Sequence, residues 1–256
     1  MRLHVFLARS GVLSRQKNKS LVREGRVRVN DAVIVEPFVE IDPQSDRVTV
    51  DGEPVALPRG FTYVLMNKPR GHICAFTDPE GRPTLAQYFP PEMPAIHPVG
   101  RLDFNTEGAL LLTDDGELAH RIIHPDFHLP KVYRVKIRGH LRRDEPAFET
   151  IRAGVVLDGE RTLPMEVEWD AERTRATWIR MVLREGRFRQ IRRTCELFDW
   201  QIVKLHRVAI GPITLDEELT PRTWRLLRGD EVRALASAVG LERDEASMAA
   251  ATPSAT

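Results

Sequence analysis

His97-Pro98-Val99-Gly100-Arg101-Leu102-Asp103-Phe104-Asn105-Thr106-Glu107-Gly108 runs straight into Ala109-Leu110-Leu111-Leu112-Thr113. The second segment has the length and composition of a buried strand. The first is a polar loop bounded by two glycines, with one aspartate in its middle. A carboxylate so placed is anchored to a rigid element and still reachable by a ligand. Two plainer readings compete. Asp103 could cap a turn, as a lone aspartate beside asparagine and threonine commonly does. Asp103, Asn105, Glu107 and Gly108 also imitate the start of a calcium loop, but the twelfth position is Asp114 rather than a bidentate glutamate. The apolar residues 109–112 could not supply the remaining oxygen ligands.

Outward from this loop the pattern alternates between strand and helix periodicity. Residues 63–66, 132–137, 155–157, 165–169, 177–183 and 202–208 read as strands, and 118–123, 145–152 and 190–198 as helices. Strands come in runs, without regular strand-helix alternation and without a glycine-rich phosphate loop. That predicts an α+β domain over 61–236 with a largely antiparallel, mixed sheet.

Upstream, Leu3, Phe6 and Leu7, then Leu21 and Val22, have helical spacing, with Ser14 as a cap for the second helix. After Gly25 the chain alternates through Val27, Val29, Val33 and Val35 about an Asn30-Asp31 turn, the signature of short strands. A small α/β module over 1–58 is expected. Pro54, Pro58 and Gly60 mark 53–60 as a linker. The segment 237–256, rich in Ala, Ser and Thr and without an apolar face, is expected to be a disordered tail.

The net charge of +1 conceals a strong polarity. Arg2, Arg9, Arg15, Lys17, Lys19, Arg23, Arg26 and Arg28 face only Glu24 in the first thirty residues, whereas acids dominate the next twenty. Such a basic face suits a polyphosphate, because each phosphate neutralised releases counterions. A solvated helix face is the plain alternative. There is no apolar run of eighteen residues and no secretory leader, so a cytoplasmic protein is expected. Cys74 and Cys195 are far apart and read as reduced thiols. His120, His124 and His128 recur every four residues, but Pro125 ends the helix and no HExxH frame is present, so no metal is expected.

The stretch GRLDFNTEGALLLTDDGELAHRIIHP, residues 100–125, resembles the catalytic signature of the bacterial ribosomal-RNA pseudouridine synthases. The branch is that typified by the small-subunit enzyme A. Three further segments are similar to elements of the same branch, in the same order: Asn67-Lys68-Pro69-Arg70-Gly71, Lys131-Val132-Tyr133-Arg134-Val135, and Glu185-Gly186-Arg187-Phe188-Arg189-Gln190-Ile191-Arg192-Arg193. The N-terminal module looks like the small RNA-binding module first described in a ribosomal small-subunit protein. His4 and the run Gln16 to Lys19 depart from that module's usual residues.

The resemblance implies Asp103 as the catalytic carboxylate, Tyr133 as the ring that stacks on the target base, and Arg192 as the aspartate's basic partner. It also implies ribosomal RNA as the partner, no cofactor, and an enzyme acting as a monomer. Isomerising uridine requires a carboxylate at the sugar and a surface that holds the freed uracil, with no outside reagent. An opposite charge within about 4 to 6 Å favours the ionised carboxylate. A stacked uridine must also be extruded and captured on a side chain. Arg15, Arg26, Lys68, Arg70, Arg101, Arg187, Arg189 and Arg193 are expected to contact the RNA, with Arg101 also supporting the loop or helping to flip the base. Residues 205–207 and 211–215 look like the small-subunit enzyme, while HPVGRLDFNTEG favours large-subunit relatives; large-subunit RNA is the expected substrate. The rival reading is a non-catalytic RNA-binding factor in ribosome assembly, and a second is an RNA glycosidase or nuclease.

Overall fold

A computed structural model describes residues 1–242 apart from 14, 59, 91, 92, 94, 95 and 174. The chain divides into two compact units, one centred on Met1–Thr62 and the other taking in Tyr63–Pro90 and continuing from Pro98.

In the first unit, α1 (Leu3–Arg9) and α2 (Arg15–Arg23) precede β1 (Val27–Val29), β2 (Ala32–Ile34), β3 (Val48–Val50) and β4 (Glu53–Val55). The strands form an antiparallel sheet in the order β2-β1-β3-β4. Leu3, Phe6 and Leu7 recur at i, i+3 and i+4, and bury one face of α1 against Leu21, Val22 and Val27. Asn30 and Asp31 join β1 to β2 with φ values of 49° and 67°, the left-handed pair that a tight hairpin with matching twist requires. The linker expected at 53–60 is a strand in its first part. Pro54 pairs opposite Thr49 on the edge strand β4, where a missing N–H costs no ladder bond. His4 is buried, with Nδ1 2.8 Å from the Pro37 carbonyl. The expected cap Ser14 and the side chain of Arg15 lie outside the described residues.

The second unit contains β5 (Tyr63–Lys68), β6 (His97–Pro98), β7 (Glu107–Thr113), α3 (Gly116–Ile123), β8 (Lys131–Arg138), α4 (Ala147–Ala153), β9 (Val156–Leu157) and β10 (Glu160–Arg161). These are followed by β11 (Glu166–Arg173), β12 (Ala176–Leu183), α5 (Gln190–Glu196), β13 (Ile202–Ile210), β14 (Ile213–Thr214), β15 (Trp224–Leu226) and α6 (Gly229–Ala238). Seven strands follow one path, β11-β12-β8-β13-β7-β5-β15. Pairing is antiparallel along this path except between β13 and β7. The expected α+β class with a largely antiparallel mixed sheet is what the chain adopts. α4 and α5 cover one face of the β11-β12-β8-β13 half, where Phe148, Ile151, Ile191 and Cys195 pack on Val135, Ile137, Ile179 and Leu205. Burial there pushes the Cys195 thiol up to about 12, in keeping with its role in packing.

The parallel seam depends on one glycine. Gly108 has φ +109°, and a Cβ there would sit 2.2 Å from the Arg207 carbonyl oxygen and 2.8 Å from the Arg207 amide nitrogen. Only a residue without a side chain lets β7 and β13 approach so closely. Gly108→Ala is expected to cost about 1–3 kcal/mol of stability through strand displacement and left-handed strain. An unchanged urea midpoint would contradict this account of the seam.

The end of the described chain differs from expectation. α6 runs to Ala238, and Val239 and Leu241 are buried. Two apolar side chains are enough to dock this turn, although the surrounding composition is polar. The rest of the expected tail, 243–256, lies outside the described residues.

Candidate active site

The loop from Leu102 to Thr106 is tied down at every carbonyl. Cys74 Sγ donates to Leu102 O at 3.4 Å, and Thr106 N donates to Asp103 O at 2.9 Å. Gly71 N donates to Phe104 O at 2.7 Å, and Arg192 Nη2 to Asn105 O at 2.9 Å. Lys68 Nζ completes the set, donating to Thr106 O at 2.9 Å, to Asp103 O at 3.4 Å and to Pro69 O at 3.0 Å. A loop whose backbone acceptors are all satisfied has little freedom to wander, so the Asp103 side chain is held where the scaffold places it.

Arg192, in the first turn of α5, brings its Nε to 3.4 Å from Asp103 Oδ2. This is an ion contact rather than an aligned hydrogen bond, since Nε lacks a hydrogen-bond partner while Nη2 binds Asn105 O and Thr106 Oγ1. The guanidinium therefore grips the loop and lends charge to the carboxylate, leaving the carboxylate oxygens unclaimed by hydrogen bonds among the described residues. Burial lowers the Arg192 pKa, and the charge of Asp103 opposes that shift. Glu185 and Gln190, from the same motif, lock the turn before α5: Gln190 Nε2 donates to Glu185 Oε1 at 2.7 Å, and Arg187 N donates to Gln190 Oε1 at 3.1 Å.

Asp103 faces two adjoining depressions that share Arg101, Leu102, Gly186, Arg187 and Arg189 as a common wall. One also holds Tyr133, Thr106 and Arg192. Tyr133 lies on β8, where its ring packs against the core below. The other depression continues to Cys74, Lys131, Phe188 and Arg207. Phe188 is 71% exposed between two arginines.

Asp103, Tyr133 and Arg192, expected to act together, are thus brought together. The expected RNA contacts separate into two sets. Arg101 and Arg189 are exposed on the wall of the cleft, and Arg70 is exposed beside the loop, with Nε 3.3 Å from Asn105 Oδ1. Lys68 is a correction: it is fully buried, its ammonium is consumed by loop carbonyls, and no RNA can reach it. Arg193, one helical step beyond Arg192, lies outside the cleft wall and pairs with Asp158 at the surface. Arg187 lines the cleft but is engaged with Glu185 and with the Arg161 carbonyl at 2.7 Å, and Arg26 is held in a two-bond pair by Asp51 at 3.0 and 2.6 Å. Sequence reasoning missed Thr106 and Arg207. Their signal was only the threonine of the loop and one arginine on a strand that otherwise reads as core. His120 and His124 lie with ring centroids 5.0 Å apart in a tilted pair, and the described residues contain no group of three side chains suited to hold a metal. None of the described helices is long and apolar enough to cross a membrane.

A mixed sheet thus carries a carboxylate, an arginine and a tyrosine in a cationic cleft, and a small helix-and-sheet unit precedes it in the chain. Residues 62–197 match the RNA pseudouridylate synthase family, and residues 1–37 match the S4 domain. The chain belongs to the RNA pseudouridine synthases, isomerases that convert uridine to pseudouridine. It is 37% identical to an uncharacterised RNA pseudouridine synthase of Aquifex aeolicus, over 94% of this chain and 96% of that one. It is 35% identical to ribosomal small subunit pseudouridine synthase A of Escherichia coli, over 92% and 100%. A crystal structure of a pseudouridylate synthase superimposes with a TM-score of 0.64 at 30% identity, covering 92% of this chain and 99% of the other.

Proposed function

We propose that this enzyme isomerises a uridine in ribosomal RNA with Asp103 as its catalytic carboxylate. The observation that carries the reading is the Asp103–Arg192 contact at 3.4 Å, on a loop with every carbonyl bonded and in one depression with Tyr133. Asp103 addresses the sugar, Tyr133 offers its ring face to the base, and Arg192 supplies the positive charge that keeps the carboxylate in place. The reaction needs no external reagent. The bond from ribose to N1 breaks, the ring turns, a bond to C5 forms, and the proton lost from C5 is balanced by one gained at N1. Extruding the uridine costs a few kcal/mol, which stacking on an aromatic ring offsets in part.

Arg101, Arg189 and Arg70 are free to meet the RNA backbone, and Phe188 between its arginines is suited to a neighbouring base. The basic N-terminal module, residues 1–58 in this reading, adds sequence-independent affinity for phosphates. The enzyme acts, in this reading, as a monomer. Ribosomal RNA is favoured by the ribosomal relative of Escherichia coli and by the loop motif.

The test is to incubate the protein with small-subunit and large-subunit ribosomal RNA transcripts and to analyse the nucleosides. A new carbon-linked uridine at a defined position in one of the two is expected. An abasic site or a broken strand would make the protein a glycosidase or nuclease, and unaltered RNA despite tight binding would make it an assembly factor.

A further inference from the structure

The inner end of the cleft holds two cations that the Asp103 machinery leaves unused. Arg207, on β13, is only 5% exposed. Its Nε donates to Ala109 O at 2.7 Å, but its Nη2 is buried without a hydrogen-bond partner. Lys131, at the start of β8, lines the same depression and makes no hydrogen bond or ion pair among the described residues. Burial lowers the Lys131 pKa to about 8, with the charge of Arg207 adding to the effect. Among the described residues the only carboxylate on the walls of this depression is Asp103, whose charge already faces Arg192. Desolvating two like charges side by side without a counter-ion is costly, and an anion that fills the space relieves the cost.

The strand register says what kind of anion fits. Arg207 pairs across from Tyr133, and a bulge between Arg207 and Ala209 turns the strand at that point. Lys131 and Tyr133 are two residues apart on β8, so they share a face at a spacing of about 6–7 Å. A ligand with a ring on Tyr133 and an oxyanion one such step away has the proportions of a nucleotide. We propose that Lys131 and Arg207 form a subsite for a single phosphate group, the backbone phosphodiester adjoining the uridine held at Asp103. Arg207 offers a guanidinium anchored by its bond to Ala109 O, and Lys131 an ammonium with no partner among the described residues, a pairing suited to tetrahedral oxygens.

This assignment rests on the proposed placement of the uridine, and two arms of one experiment separate the two ideas. In the first, lysine side chains are tagged as 13C-dimethylamines and titrated with inorganic phosphate, Lys131→Met identifying the Lys131 signal. A saturable shift of that signal, larger than for the surface lysines and not reproduced by chloride at equal ionic strength, is expected. A signal that stays put, or follows the surface lysines, overturns the subsite whether or not the protein makes pseudouridine. In the second, the RNA fragment converted in the nucleoside assay is remade with one neutral methylphosphonate at a time around the target uridine. One position is expected to weaken wild-type binding by about tenfold, the size of a lost charged hydrogen bond. The same replacement should change binding by Lys131→Met less than twofold, and Lys131→Arg should restore much of the sensitivity. Equal losses in wild type and Lys131→Met at every position would overturn the proposal.

Discussion

Asp103→Asn is expected to abolish pseudouridine formation while leaving RNA binding within about threefold of wild type, a loss of at least about 10³ in turnover or ~4 kcal/mol of barrier. The asparagine keeps the shape of the side chain and the bonds of the loop backbone, since those bonds engage carbonyls and not the carboxylate. It removes only the negative charge and the nucleophilic or basic oxygen. Asp103 is one-third exposed, so losing its ion contact with Arg192 should change stability by no more than about 1 kcal/mol. RNA affinity has no reason to fall, because a negative charge leaves a cleft that receives a polyanion. Nucleoside analysis and filter binding on the same preparation check both halves. Product at a near-normal rate would remove Asp103 from the chemistry, and collapse of binding along with turnover would make it a contact residue.

Lys68→Ala should have the largest effect on stability, about 3–5 kcal/mol from the lost stem and the unpaired acceptors together. Lys68 is fully buried at the end of β5, and its ammonium bridges Pro69, Asp103 and Thr106. Asp103 O keeps Thr106 N when the lysine is removed, but Pro69 O and Thr106 O lose their lysine donor. Lys68→Met separates the two contributions by restoring the stem without the donor. It should recover part of the stability but little of the turnover, because the loop that carries Asp103 remains loosened. Urea midpoints compared at constant slope measure the first quantity. A methionine variant with normal turnover would show that the ammonium is dispensable for placing the loop.

Lys68 also shows where reading a sequence stops. In Asn67-Lys68-Pro69-Arg70-Gly71 the lysine and the arginine look alike, two cations in one short motif. The fold buries one under that loop and leaves the other in solvent. Arg192 and Arg193 make the same point on a helix, where one step of 100° separates a residue bonded to the Asp103 loop from one paired with Asp158. Arg26 and Arg187 carry charges that oppositely charged neighbours already occupy. Sequence registers the presence of a cation but neither its burial nor its partner, since both depend on residues far away along the chain.

The sequence alone was sufficient for the longer central strands, the hairpin at Asn30-Asp31, the α+β class and the loop that holds Asp103, because each follows from local periodicity, turn chemistry or a contiguous motif, but it did not show β4, β15 or α6. Tertiary structure decided the parallel seam that Gly108 permits, the meeting of Arg192 with Asp103, the conversion of Lys68 into an internal brace, and the placing of Lys131 beside Arg207. These are matters of which distant segments touch and which charges lose their water, and chain closure, not composition, determines them.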